Sequence, residues 1–158
     1  FLDPWQDATD VGYQLIHSLY AIGSGGFFGV GLGQSKQKAL YIPEPYNDFI
    51  FSIIVEETGF LGGMLIIALF IVLIAAGINV AIKAKDMYGR LLSTGIISVV
   101  AIQLIINVAV VTGSMPVTGI PMPFISYGGT SMVFIMAAMG ILLNISKVSK
   151  SLEKNELA

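Results

Sequence analysis

TGFLGGMLIIALFIVLIAAGINVAI, residues 58–82, carries no charged side chain over 25 positions. A helix of that length is roughly 37 Å long, enough to cross a hydrocarbon layer about 30 Å thick. A helix also satisfies its own backbone groups where no water can reach them. Phe49–Val55 extends this stretch upstream across Glu56 and Glu57. Two further uncharged stretches follow, Leu91–Met115 and Gly128–Ser146. The spacing predicts an all-α integral membrane protein with three transmembrane helices.

The composition agrees. Of 158 residues, 55% are hydrophobic and only 11% charged, with a mean hydropathy of +0.84. A soluble domain carries roughly 25% charged residues, so lipid must solvate part of this surface. The net charge of -2 argues against nucleic acid as a partner, since that needs a basic footprint. The absence of Cys excludes disulfides, thiol catalysis and thiolate metal sites. A single histidine, His17, excludes a His-cluster metal site. No basic, apolar and cleavage regions of a signal peptide open the chain. It starts in a polar, aromatic stretch and reads as a piece whose N-terminal part lies elsewhere.

Lys and Arg orient the helices. Residues 83–90 contain Lys83, Lys85 and Arg90, and the tail from 147 contains Lys147, Lys150 and Lys154; residues 116–127 contain none. The expected order is an extracytoplasmic segment 1–47, a span 48–82, a cytoplasmic hairpin 83–90 and a span 91–115. An extracytoplasmic loop 116–127, a span 128–146 and a cytoplasmic tail 147–158 complete it.

Within the outer segment, Val11, Leu15, Ser18, Leu19 and Ile22 recur at helical spacing after Asp3, Asp7 and Asp10. That pattern predicts a short amphipathic helix lying on the outer surface, with acids at its positive end. His17 reads as part of that helix. The run from Gly23 to Gly33 breaks it. It does not match a phosphate-binding G-x-G-x-x-G, and close packing is its expected role. Pro43 and Pro45 then exclude helix, and Asn47 or Asp48 stands where the next helix needs a cap.

Asp48 has two readings at this point: that cap, or a reactive carboxylate. Counting 35 residues back from Lys83 puts it roughly 50 Å along a straight helix, at or above the outer interface. A bend near Gly59, Gly62 or Gly63 would change that depth. Glu44 lies four residues earlier, with Pro45 between them. Glu56 and Glu57 near the outer end of the first span need partners, with Lys36 and Lys38 as candidates. Gln103 and Asn107 lie one turn apart on one helix face and are expected to hydrogen-bond a neighbouring helix. Residues 112–129 hold three prolines, four glycines and no charge. A connection this apolar is expected to fold into a lid or wall facing the same outer cavity as Asp48, since irregular backbone near a membrane persists where it packs in protein or lines a cavity; a tight hairpin between two spans is the other reading.

Several blocks resemble the SEDS family (shape, elongation, division and sporulation). They are Asp3-Pro-Trp5, Ala21-Ile-Gly-Ser-Gly-Gly26, Gly31-Leu-Gly-Gln-Ser-Lys-Gln-Lys38, Pro43-Glu-Pro-Tyr-Asn-Asp-Phe-Ile-Phe51, Glu56-Glu57 and residues 116–131. The resemblance runs from residue 1 to about 147 and is nearest the FtsW/SpoVE branch. It implies the C-terminal portion of a ten-span bundle: the large outer loop before span eight, then spans eight to ten. Tyr46-Asn47 stands where the family usually has His-Thr, and Thr58 where it has Leu.

The resemblance also implies a function. Family members are peptidoglycan glycosyltransferases that polymerise lipid II on the outer face of the bacterial plasma membrane. They work with a class B penicillin-binding protein among the divisome membrane proteins. The family's essential outer-loop aspartate falls on Asp48, which becomes the expected catalytic residue. Lys36, Lys38, Glu44, Ser126 and Tyr127 are the expected substrate-binding residues, the lysines toward pyrophosphate. An ordinary aspartate titrates near 3.9, so a general-base role calls for partial desolvation or a nearby carboxylate such as Glu44. A divalent cation on Asp48 is the other route, and no further cofactor is implied. A lipid II flippase and a non-catalytic divisome scaffold are the alternatives. The first needs polar residues threading the spans; the second is indifferent to Asp48.

Overall fold

The computed structural model describes residues 11–35 and 48–156. Four helices follow in chain order: α1 (Val11–Gly25), α2 (Ile50–Lys83), α3 (Met87–Val111) and α4 (Gly129–Glu156). No strand occurs among the described residues. α2, α3 and the 129–149 part of α4 are each long and apolar enough to cross a membrane, with mean hydropathies of 2.9, 2.3 and 1.8. The chain therefore carries three membrane-spanning helices.

α1 occupies the expected place, but it is not a helix resting on a surface. Leu15, Ile16, Ser18 and Ala21 are buried, and the helix packs on α2 and α3. The Ser18 hydroxyl donates to Val111 O at 3.0 Å, tying α1 to the end of α3. Ser18→Ala is expected to lower stability by about 1 kcal/mol, read from the unfolding midpoint, because a buried carbonyl loses its donor. The ring of His17 stacks between those of Tyr13 and Tyr20, at centroid distances of 4.3 and 6.0 Å. Asp3, Asp7 and Asp10 lie outside the described residues.

α3 starts and ends four residues earlier than the uncharged stretch suggests. Asp86 caps its start, accepting from Gly89 N–H at 2.5 Å, so the helix begins inside the charged hairpin. At the other end Gly113 turns to φ 74° and closes on Val110 O at 3.0 Å. Asp86→Ala is expected to lower stability by about 1 kcal/mol through loss of that cap, again read from the unfolding midpoint. α4 continues past 146 into the tail, and the Ser149 hydroxyl donates to Lys83 O at 2.6 Å, joining the two helix ends.

α2 is broken. Gly59 has φ 77° and ψ -177°, a conformation essentially restricted to glycine. An unbroken helix would bond Phe60 N–H to Glu56 O and Leu61 N–H to Glu57 O. The glycine-rich segment after α1 enters the gap and takes all four groups. Val30 and Gly31 N–H donate to the Glu56 and Glu57 carbonyls at 2.9 and 3.1 Å. Phe60 and Leu61 N–H donate to the Gly26 and Phe27 carbonyls at 2.9 and 3.4 Å. This exchange is what makes the interruption tolerable in an apolar setting, because no backbone group is stranded. Glycine is required on both sides. A Cβ on Gly29 would overlap Glu57 O, and one on Gly25 would stand 2.9 Å from Glu56 Cα.

The break divides α2 into two parts of different character. Above it, Phe51, Ser52, Ile53, Val55 and Glu56 are buried. Below it, Leu65, Leu69 and Val72 point outward at more than 60% exposure, as lipid-facing side chains do. The core lies at the upper end, where Phe49, Phe51 and Val55 meet Leu104, Val110 and Met122.

Candidate functional site around Asp48

Asp48 sits two residues before α2, beside that core. It is not the helix cap: Phe49 is, and no side chain closes that end. The backbone does so instead, with Ser52 N–H and hydroxyl both bonding Phe49 O, at 3.1 and 2.7 Å. The Asp48 carboxylate is thus not engaged as an N-cap.

Three pieces of chain converge on this residue. Phe49, 2% exposed, anchors it from one side. From α3, the Asn107 side-chain amide donates to Asp48 main-chain O at 2.9 Å and to Ile120 O at 2.9 Å. From the 112–128 loop, Gly119 lies so close that a Cβ there would stand 3.5 Å from Asp48 Oδ2. The proline–glycine loop is therefore a wall against the carboxylate, as its composition suggested.

The wall is rigid by construction. Met122 is 1% exposed and belongs to the core. Ser126 closes a turn on it twice: Ser126 N–H donates to Met122 O at 3.1 Å, and Met122 N–H donates to Ser126 Oγ at 2.7 Å. Inside this turn Phe124 is held at φ 64°, rare for a bulky residue, with its ring 6.3 Å from that of Phe70. Strained backbone of this kind persists where its surroundings over-determine it.

The expected site residues separate accordingly. Ser126 is buried, and its Oγ accepts from Met122 N–H within the turn, so it shapes the wall. Tyr127, next to it, is 82% exposed. Lys36, Lys38 and Glu44 lie outside the described residues. Glu56 is buried just above the Gly59 break and accepts from the Ser35 hydroxyl and, at 3.5 Å, from the Ser24 hydroxyl. Asn107 bonds not a neighbouring helix, as expected, but the turn at Asp48 and the loop at Ile120, while Gln103 has its Oε1 buried with no partner among the described residues. Gly119 was missed, because a glycine among four in an apolar loop carries no mark of the carboxylate it faces.

No group of three or more His, Cys, Asp or Glu side chains is present among the described residues. A groove of about 520 Å³ between α3 and α4, lined by residues such as Leu91, Val99, Gln103 and Phe134, contains no charged side chain. It suits an acyl chain or another helix, not sugar chemistry.

The fold and site define a multi-pass helical membrane protein with one carboxylate set against a rigid loop at one end of its helices. A family model described as "Cell cycle protein", covering FtsW, RodA and SpoVE, matches residues 1–151. The chain belongs to this family, the SEDS proteins. It is 55% identical over 150 residues to stage V sporulation protein E of Bacillus subtilis, covering 95% of this chain and 41% of that protein. It is 50% identical over 146 residues to a probable peptidoglycan glycosyltransferase FtsW of Geobacter sp. (strain M18), covering 92% and 40%. Among solved structures, a chain reported under "Structural coordination of polymerization and crosslinking by a peptidoglycan synthase complex" matches with TM-score 0.76 and 28% identity. That match covers 94% of this chain and 40% of the other. A mutant of the rod shape determining protein RodA of Thermus thermophilus matches with TM-score 0.64 and 32% identity, covering 82% and 39%. The chain thus spans about 40% of the length of these relatives.

Proposed function

We propose that this chain is the C-terminal, site-bearing portion of a peptidoglycan glycosyltransferase that polymerises lipid II on the outer face of the bacterial plasma membrane. The observation that carries this reading is Asp48: a partly exposed carboxylate, not used as a cap, fixed between α2, Asn107 and the wall loop. The names of the relatives, and the synthase complex one of them belongs to, point the same way.

The chemistry is a single displacement. Asp48 accepts the proton of the 4-hydroxyl on the acceptor's N-acetylglucosamine as that oxygen bonds to the anomeric carbon of the muramyl sugar on the growing strand. The anomeric C–O bond breaks, and its electron pair leaves with undecaprenyl pyrophosphate. An α-linked donor becomes a β-1,4 product by inversion, so no covalent enzyme intermediate is required. Lys36 and Lys38 supply point charges for the pyrophosphate, Glu44 a second carboxylate, and Tyr127 an exposed ring for the incoming substrate. The testing experiment is lipid II polymerisation by the full-length protein with its class B penicillin-binding partner, comparing Asp48→Asn with wild type.

This reading needs the Asp48 end outside and the tail inside, as Lys83, Lys85, Arg90 and Lys147 favour. In a cysteine-free full-length protein, Ser114→Cys is expected to react with a membrane-impermeant maleimide on intact spheroplasts. Lys85→Cys is expected to react only after lysis. The reverse pattern would invert the topology and remove the site from its substrate.

A further inference from the structure

We infer that Asn107 is a positioning residue for Asp48, a role that rests on the base reading above. Its two amide hydrogens go to two different pieces of chain, Asp48 O and Ile120 O, each at 2.9 Å. One side chain from α3 thus sets the distance between the residue that carries the carboxylate and the loop that faces it. Gly119, adjacent to Ile120, is the loop residue beside Asp48 Oδ2. A shift of Asn107 therefore moves the carboxylate and its wall relative to each other.

The amide is buried and only partly satisfied. Asn107 is 1% exposed, and its Oδ1 is buried with no hydrogen-bond partner among the described residues. Burying an unsatisfied acceptor costs free energy, which offsets part of what the two donated bonds contribute. The neighbouring α3 positions Leu104, Val110 and Val111 are apolar and buried without such a cost. The amide stands where its two donors span Asp48 and the wall. Both hydrogens being used also fixes the amide's orientation, so it works as a rigid spacer.

A base displaced from its hydroxyl loses rate without losing substrate affinity. The test uses the full-length polymerase with its penicillin-binding partner, measuring kcat and KM for lipid II per mole of monodisperse, folded complex. Asn107→Ala is expected to lower kcat about 10- to 100-fold with KM within about threefold of wild type. Gln103→Leu, one turn away on the same helix, is expected to leave kcat within about threefold. Asp48→Asn is measured alongside. If it is inactive while Asn107→Ala keeps wild-type kcat, or changes only KM, the positioning role is wrong and the base reading stands. If Asp48→Asn is active, the base reading falls and this inference falls with it. If Asn107→Ala does not fold, Asn107→Ser, which keeps one donor, is read by the same criteria. Failure of both to fold makes Asn107 a purely structural residue and overturns the proposal.

Discussion

Asp48→Asn is expected to reduce lipid II polymerisation by about 10²- to 10⁴-fold, the usual contribution of a positioned base. The substitution replaces the carboxylate by an amide of the same shape. Asp48 also lends the fold its main-chain carbonyl, held by Asn107, and asparagine keeps that carbonyl. The side chain is not the cap of α2, so helix stability does not depend on its charge. Expression, detergent extraction and the unfolding midpoint should therefore match wild type while strand synthesis stops. Polymerisation at the wild-type rate would show that the carboxylate is not the base. Asp48→Glu is expected to fall between the two, because the acceptor is retained but displaced by one methylene toward the wall at Gly119.

Gly59→Ala is expected to have the largest effect on folding. A Cβ at this position would overlap Gly29 N and Phe27 O and stand 2.6 Å from Phe27 C. These are backbone atoms held by four hydrogen bonds, so they cannot step aside as a flexible side chain would. The φ of 77° adds strain of about 1–3 kcal/mol, and overpacking adds roughly another 1–3 kcal/mol. Together these come to roughly 2–6 kcal/mol, which reaches the low end of an ordinary domain's stability of about 5–15 kcal/mol. The full-length variant should fail to accumulate as monodisperse protein. Gly95→Ala is the control: that glycine lies within α3 with nothing within 4 Å of an added Cβ. Its replacement should be neutral or stabilise by up to about 1 kcal/mol. Equal behaviour of the two variants would mean that the segment 25–31 does not fill the break.

Much of this was legible before any coordinates. The spans were readable because absence of charge over 19 or more positions leaves few other folds open. The wall was readable because an uncharged, proline-rich connection has no business in water. What escaped were features set by contact between distant segments. The boundaries of α3 moved because Asp86 caps a helix within a stretch that hydropathy assigns to the hairpin. α1 was expected on a surface, yet its small residues Ser18 and Ala21 bury as fully as Leu15, which a hydrophobic pattern undervalues. Of the site, Asp48 was visible through a motif; its neighbours were not. Asn107 lies 59 residues away from it in sequence, and only the fold brings the amide to the Asp48 carbonyl.

The break at Gly59 changes what fixes the height of Asp48. Counting residues from Lys83 treats α2 as one rod that would carry any change in bilayer thickness straight to the carboxylate. The rod has a joint. Its lower shaft is tethered at its far end through Ser149 and Lys83. Its upper stub is clasped to the 26–31 segment and α1, and through Asn107 to the wall. The level of the carboxylate is set by these nearby landmarks and not by the length of the shaft below the break.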